Sequence, residues 1–167
     1  VLDFSNNVGI DGSGTIVWDG DDDPTVVDED GLGGIDLTGG VWPLDRILVE
    51  ILSADLDGLE LEFTIYDLDG GVSSLSRDFL AITVPVTEAF IFDNFNDVTP
   101  GGADFTNVGA IKLDIDGPKD IDAELAMIEV SGGDKRRVPE PLTSFWTLAG
   151  VSALGGLCGK KKFCSSK

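Results

Sequence analysis

The sequence predicts an all-β fold: an antiparallel two-sheet sandwich, jelly-roll-like, followed by a C-terminal hydrophobic helix. Short runs of alternating apolar and polar residues recur, and Gly, Asp and Asn punctuate them roughly every eight to twelve residues. Nothing before residue 135 sustains a helical period. Disorder is excluded in spite of a net charge of −20, because 42% of the residues are hydrophobic and nine Phe and three Trp can build a core.

Taken in order, the predicted strands are Leu2–Ser5, Thr15–Trp18, Asp45–Leu52, Leu59–Asp67, Leu75–Val84, Ala89–Asp93, Gly109–Asp116 and Ala123–Val130. The clearest is Leu59–Asp67, where Leu59, Leu61, Phe63 and Ile65 fall on one face and Glu60, Glu62 and Thr64 on the other. Ala110–Asp116 repeats that alternation, and Ala123–Val130 is similar but richer in apolar residues. Each strand has one apolar and one wet, acidic face, as antiparallel sheets allow.

Charge divides the chain. Residues 1–134 carry 30 of the 31 acidic residues and only Arg46, Arg77, Lys112 and Lys119 on the basic side, a net of −26. Residues 135–167 carry seven basic residues and Glu140, a net of +6. A boundary is therefore expected near Gly132-Gly133, with an acidic β-sandwich domain over 1–134. Beyond it the reading is a basic linker with a Pro-Glu-Pro motif over 135–141, a transmembrane-type helix over 142–159 and a basic cytoplasmic tail over 160–167. Val1-Leu2-Asp3-Phe4 has neither a basic segment nor an apolar run, so a mature N-terminus is expected whose export signal has been removed.

There is no histidine. Ser-His-Asp and Cys-His nucleophiles, imidazole general bases and imidazole-ligated metals are thereby ruled out. The acidity of the body argues against nucleic acid as a partner. Both cysteines, Cys158 and Cys164, lie in the basic tail, so the body needs no disulfide.

Aspartate-rich loops are the chemical signal of the body. Asp55-Leu56-Asp57-Gly58, Asp67-Leu68-Asp69-Gly70 and Asp114-Ile115-Asp116-Gly117 share an Asp-x-Asp-Gly pattern. It reads as strand-closing turns, with Asp bonding its own backbone and Gly accepting positive φ. Asp19, Asp21 and Asp23, followed by Asp28 and Asp30, are denser and are candidate ligands for calcium, which takes several oxygen donors. An EF-hand is rejected, because Pro24 and Asp30 stand where that loop needs Gly and Glu. A sandwich-type calcium loop and a solvated acidic loop both stay open. Trp18, Trp42, Tyr66, Phe92 and Phe95 are candidates for stacking a sugar ring, against the plainer reading as core. No enzyme activity is expected: any two of the many carboxylates could reach catalytic separation, so none is favoured.

The tail carries the specific signal. Val138-Pro139-Glu140-Pro141 is followed by 18 uncharged residues, Leu142–Gly159, and then by Lys160, Lys161 and Lys162. At about 1.5 Å per residue the uncharged run reaches roughly 27 Å as a helix, sufficient for a thin bilayer core. The lysines would stay cytoplasmic, placing the acidic body outside. A C-terminal helix packed on the body is the alternative.

In motif order and position the tail resembles the PEP-CTERM sorting signal of Gram-negative bacteria. Pro139, Glu140 and Pro141 match the motif, Leu142–Gly159 the membrane segment and Lys160–Lys162 the basic cluster. The stretches Thr15–Asp22 and Asp104–Ile111 look like the bodies of cyanobacterial proteins of that type. The resemblance implies an exported surface or extracellular protein, anchored transiently in the inner membrane through its tail and handled there by an exosortase. It also implies a link to exopolysaccharide and biofilm matrix. Calcium is the candidate cofactor, and exopolysaccharide or copies of the chain itself are the candidate partners of the body. The competing readings are a self-assembling subunit of an extracellular filament or layer, and a carboxylate-dependent glycan hydrolase.

Overall fold

In the computed structural model the described residues are 1–21, 23, 26–39 and 44–132. The first compact unit of the chain has the bounds Val1–Gly133. The expected C-terminal helix, Leu142–Gly159, lies outside the described residues, among which no helix is long and apolar enough to cross a membrane.

Among the described residues, nine strands form two antiparallel sheets. They are β1 (Leu2–Ser5), β2 (Gly12–Trp18), β3 (Arg46–Ala54), β4 (Leu59–Asp67), β5 (Val72–Phe79), β6 (Val86–Ile91), β7 (Asn96–Asp97), β8 (Val108–Gly117) and β9 (Asp122–Ser131). One sheet has the order β1-β9-β3-β6 and the other β2-β8-β4-β5-β7. The pairings are nested: β1 with β9, β2 with β8, β3 with β6 and β4 with β5. The two sheets enclose one apolar core, as a sandwich requires.

Alternation decides which side chains enter that core. In β4, Leu59, Leu61, Phe63 and Ile65 are all fully buried. Opposite them in the other sheet stand Ile47, Val49 and Ile51 of β3 and Phe90 of β6. The rings of Phe63 and Phe90 meet edge to face, 4.9 Å between centroids, and link the sheets at their centre. A bulge interrupts the alternation in β9: Met127 pairs with Glu50 and Leu125 with Ile51, leaving Ala126 as the extra residue. The bulge turns Ile128 and Val130 inward, level with Val49 and Ile47.

Two predicted strands are displaced. β5 spans Val72–Phe79 rather than Leu75–Val84, because the Asp67 carboxylate captures the Gly71 N–H and closes the preceding turn early. It ends at Phe79 because the next residues face away, with Ala81 N–H donating to Asp57. β6 starts at Val86 and ends at Ile91, where Phe92–Asn94 make a single 3-10 turn in place of the strand end at Asp93. The two-residue β7 was not predicted, since Asn96-Asp97 carries no apolar alternation.

Candidate functional site

One end of the five-stranded sheet collects the densest acidic loops. β2 runs out at Trp18 and β4 at Asp67, on either side of the first residues of β8. The residue after β2, Asp19, is only 2% exposed, and Asp67 is 5% exposed. Both carboxylates are used to shape backbone. Asp19 accepts the Asp21 N–H at 3.1 Å and the Asp28 N–H at 2.9 Å. Asp67 accepts the N–H groups of Asp69 at 2.8 Å, Gly71 at 2.7 Å and Asp104 at 2.7 Å. Burial by itself would raise the Asp67 carboxyl, but the backbone N–H groups of Asp104, Gly71, Asp69 and Gly70 outweigh it and hold its pKa below the ordinary aspartate value.

The loop after Asp19 then crosses over β8. Leu32 N–H donates to Gly109 O, and Ile35 and Val108 exchange bonds in an isolated bridge. Glycine is required where the backbones touch. A Cβ on Gly31 would collide with the Asp19 carbonyl, and one on Gly109 with the Glu29 carbonyl. Asp36 holds the far end of the loop through the Thr38 hydroxyl and the Thr38 N–H, which lower its pKa.

The calcium candidates occupy this pole in different ways. Asp19 is buried as described, while Asp21, Asp23, Asp28 and Asp30 are exposed. Asp28 joins Asp19 by its N–H and accepts the Asp30 N–H at 3.1 Å. Among the described residues, no group of three or more acidic side chains is placed to hold a metal ion. Pro139, Glu140, Pro141, Lys160, Lys161 and Lys162 lie outside the described residues, as does Trp42.

The Asp-x-Asp-Gly segments divide into two kinds. Gly58 and Gly70 have φ of 100° and 81°, as turn glycines do. Only Asp67 bonds its own turn; Asp55 and Asp57 instead accept N–H groups from Asp122 and Ala81, tying distant segments together. Asp114-Ile115-Asp116-Gly117 is not a turn but lies inside β8. Its Asp114 takes the Lys112 ammonium at 2.7 Å and the Thr15 hydroxyl at 2.7 Å. Bonding to Asp114 raises the Lys112 pKa, and burial raises that of nearby Tyr66.

Of the aromatic candidates for sugar stacking, two are placed among other rings. Phe92 and Phe95 pack with Phe105, the Phe92 and Phe105 rings stacked at 4.6 Å and Phe95 edge-on to Phe105 at 5.3 Å. All three rings are half-buried against the core. Trp18 stands apart from them, lining an apolar cleft between the sheets with Ile111 and Ile128.

The outer face of the five-stranded sheet is a second acidic surface. Glu60 lies directly across from Asp116 on one side and Asp78 on the other, and Glu62 lies across from Asp114. Like charges in directly opposed positions repel. Sequence alternation showed that these residues face water, but not that they would stand opposite one another, because that depends on register. No family model, curated protein or solved structure matches the chain.

Proposed function

We propose that this chain is an exported, non-enzymatic surface or extracellular-matrix protein carrying a PEP-CTERM sorting signal. The observation that carries the reading is the order of the tail: Pro139-Glu140-Pro141, then the uncharged Leu142–Gly159, then Lys160–Lys162. The uncharged run is long enough for a thin bilayer, and the lysine cluster holds its end on the cytoplasmic side. An exosortase of the inner membrane is the partner of the tail, and exopolysaccharide the milieu of the body. The nested pairing of β1/β9, β2/β8, β3/β6 and β4/β5 supports a jelly-roll description of that body. The two buried aspartates, engaged with backbone N–H groups, support a structural rather than catalytic use of carboxylates.

Fractionation of producing cells tests the reading. Replacement of Pro139, Glu140 and Pro141 by Ala should hold the protein in the inner-membrane fraction while the wild type reaches the surface or medium. Equal distribution of the two would refute recognition of the motif.

A further inference from the structure

The two sheets do not close equally on their two sides. Where β5 faces β6, Arg77 points inward over the Phe90 ring, 5.5 Å from its centroid, with Glu88 at 3.8 Å. On the other side the sheet edges are β2 and the β1–β9 pair, and β1 is short. It covers only Asp122–Leu125 of β9, so Ala126–Ser131 has no strand on that side among the described residues. Half of a central-length strand therefore presents its backbone N–H and C=O groups outward. Beside it opens a cleft of about 320 Å³ lined by Trp18, Leu32, Ile35, Ile111, Ile128 and Val130. Trp18 and Ile35 are 36% and 39% exposed, large apolar surface for a chain of this charge.

We propose that the free half of β9, Ala126–Ser131, is a strand-addition site for an extended basic segment of another polypeptide. The ladder supplies the affinity common to all such sites, and the side chains along it set the preference. Residues laid across from Ile128 and Val130 enter the apolar cleft and are aliphatic. The residue across from Glu129 points outward, onto a face that also carries Glu124 and Glu50. A basic side chain there stands directly across from the Glu129 carboxylate, and the −26 charge of residues 1–134 draws it in. The same charge opposes a second copy of this body, whose own edge would set Glu129 near Glu129. The occupant is thus a strand of alternating aliphatic and Lys or Arg residues.

The test uses the full chain and two synthetic hexapeptides, Lys-Val-Lys-Val-Lys-Val and Glu-Val-Glu-Val-Glu-Val, each with blocked ends. Amide hydrogen exchange is read residue by residue at low salt. The basic peptide should slow exchange within Ala126–Ser131 by about tenfold or more, and the acidic peptide should leave it unchanged. Glu129→Lys should weaken the basic peptide about tenfold without altering the unfolding midpoint of the free protein. Protection spread over the acidic loops instead of β9 would overturn the proposal, as would equal protection by both peptides. Protection, without any peptide and at low or high protein concentration, of those Ala126–Ser131 amides that do not bond β3 would also overturn it, because the edge would already be filled by this chain or a second copy.

Discussion

Replacing Asp67 is the sharpest probe of the acidic pole. Its carboxylate receives three backbone N–H groups from two segments, Asp69 and Gly71 in its own turn and Asp104 in the loop before β8. Asp67→Asn keeps one carbonyl oxygen, which can serve Asp69 and Gly71 together because both already use Oδ1. Its NH₂ then faces the Asp104 N–H, donor against donor. One charge-assisted bond is lost, at a cost of about 2 kcal/mol. Asp67→Ala removes all three acceptor contacts. Water at this loop-rich end replaces part of them, so about 4 kcal/mol is expected rather than the full sum. At about 3 °C per kcal/mol for a body of this size, the unfolding midpoint should fall by roughly 6 °C and 12 °C.

Circular-dichroism melts of the full chain at pH 7 measure both shifts. A second reading comes from pH. The folded pKa of Asp67 lies below its ordinary value, so its contribution is present above the unfolded value of about 3.9 and is lost as pH falls through the folded one. The wild type should therefore lose more stability than Asp67→Asn between pH 5 and about pH 2. Midpoints for both variants within about 1 °C of wild type at pH 7 would refute the role assigned to this carboxylate.

Other substitutions test separate parts of the molecule. Gly31→Ala and Gly109→Ala force backbone carbonyls apart where the acidic loop crosses β8, and each should cost about 2–3 kcal/mol in urea unfolding. Glu60→Gln removes a charge that stands between Asp78 and Asp116, and should stabilise by about 0.5 kcal/mol in the same assay. Glu88→Gln should change stability by less than about 0.5 kcal/mol, because its pair with Arg77 is long and more than a third exposed. At the alkaline end, the folded pKa values of Lys112 and Tyr66 lie above their ordinary ones. Stability should hold up to about pH 10 and decline as pH rises through the folded values, less steeply in Lys112→Met.

What the sequence made legible follows from period and composition. Leu2–Ser5 and Leu59–Asp67 could be bounded to the residue because alternation starts and stops there, and the four inward residues of β4 are fully buried, although Thr64 on its other face and Asp67 at its end are buried as well. β5 could not, because Val72-Ser73-Ser74-Leu75 has too few apolar residues to announce a strand; a hydrogen bond from Gly71 to Asp67 sets its start. The β9 bulge was likewise hidden, since Ala126-Met127-Ile128 reads as an uninterrupted apolar run. Asp19 and Asp67 show the limit for the candidate site. Their neighbours Asp21 and Asp69 are the same residue type in the same punctuation, yet only the first of each pair is buried. Burial there is decided by loops arriving from residues 28 and 104, which no local pattern encodes.

The proposed destination rests on the tail, and intact-mass measurement of the protein recovered from its own cells tests it most directly. Secreted or surface-bound material should lack Leu142–Gly159 and everything after it, leaving a body more acidic than the net −20 of the full sequence. The Pro139-Glu140-Pro141→Ala variant should retain the full mass. Recovery of wild-type protein outside the cell with Lys160–Lys167 still attached would contradict the proposal.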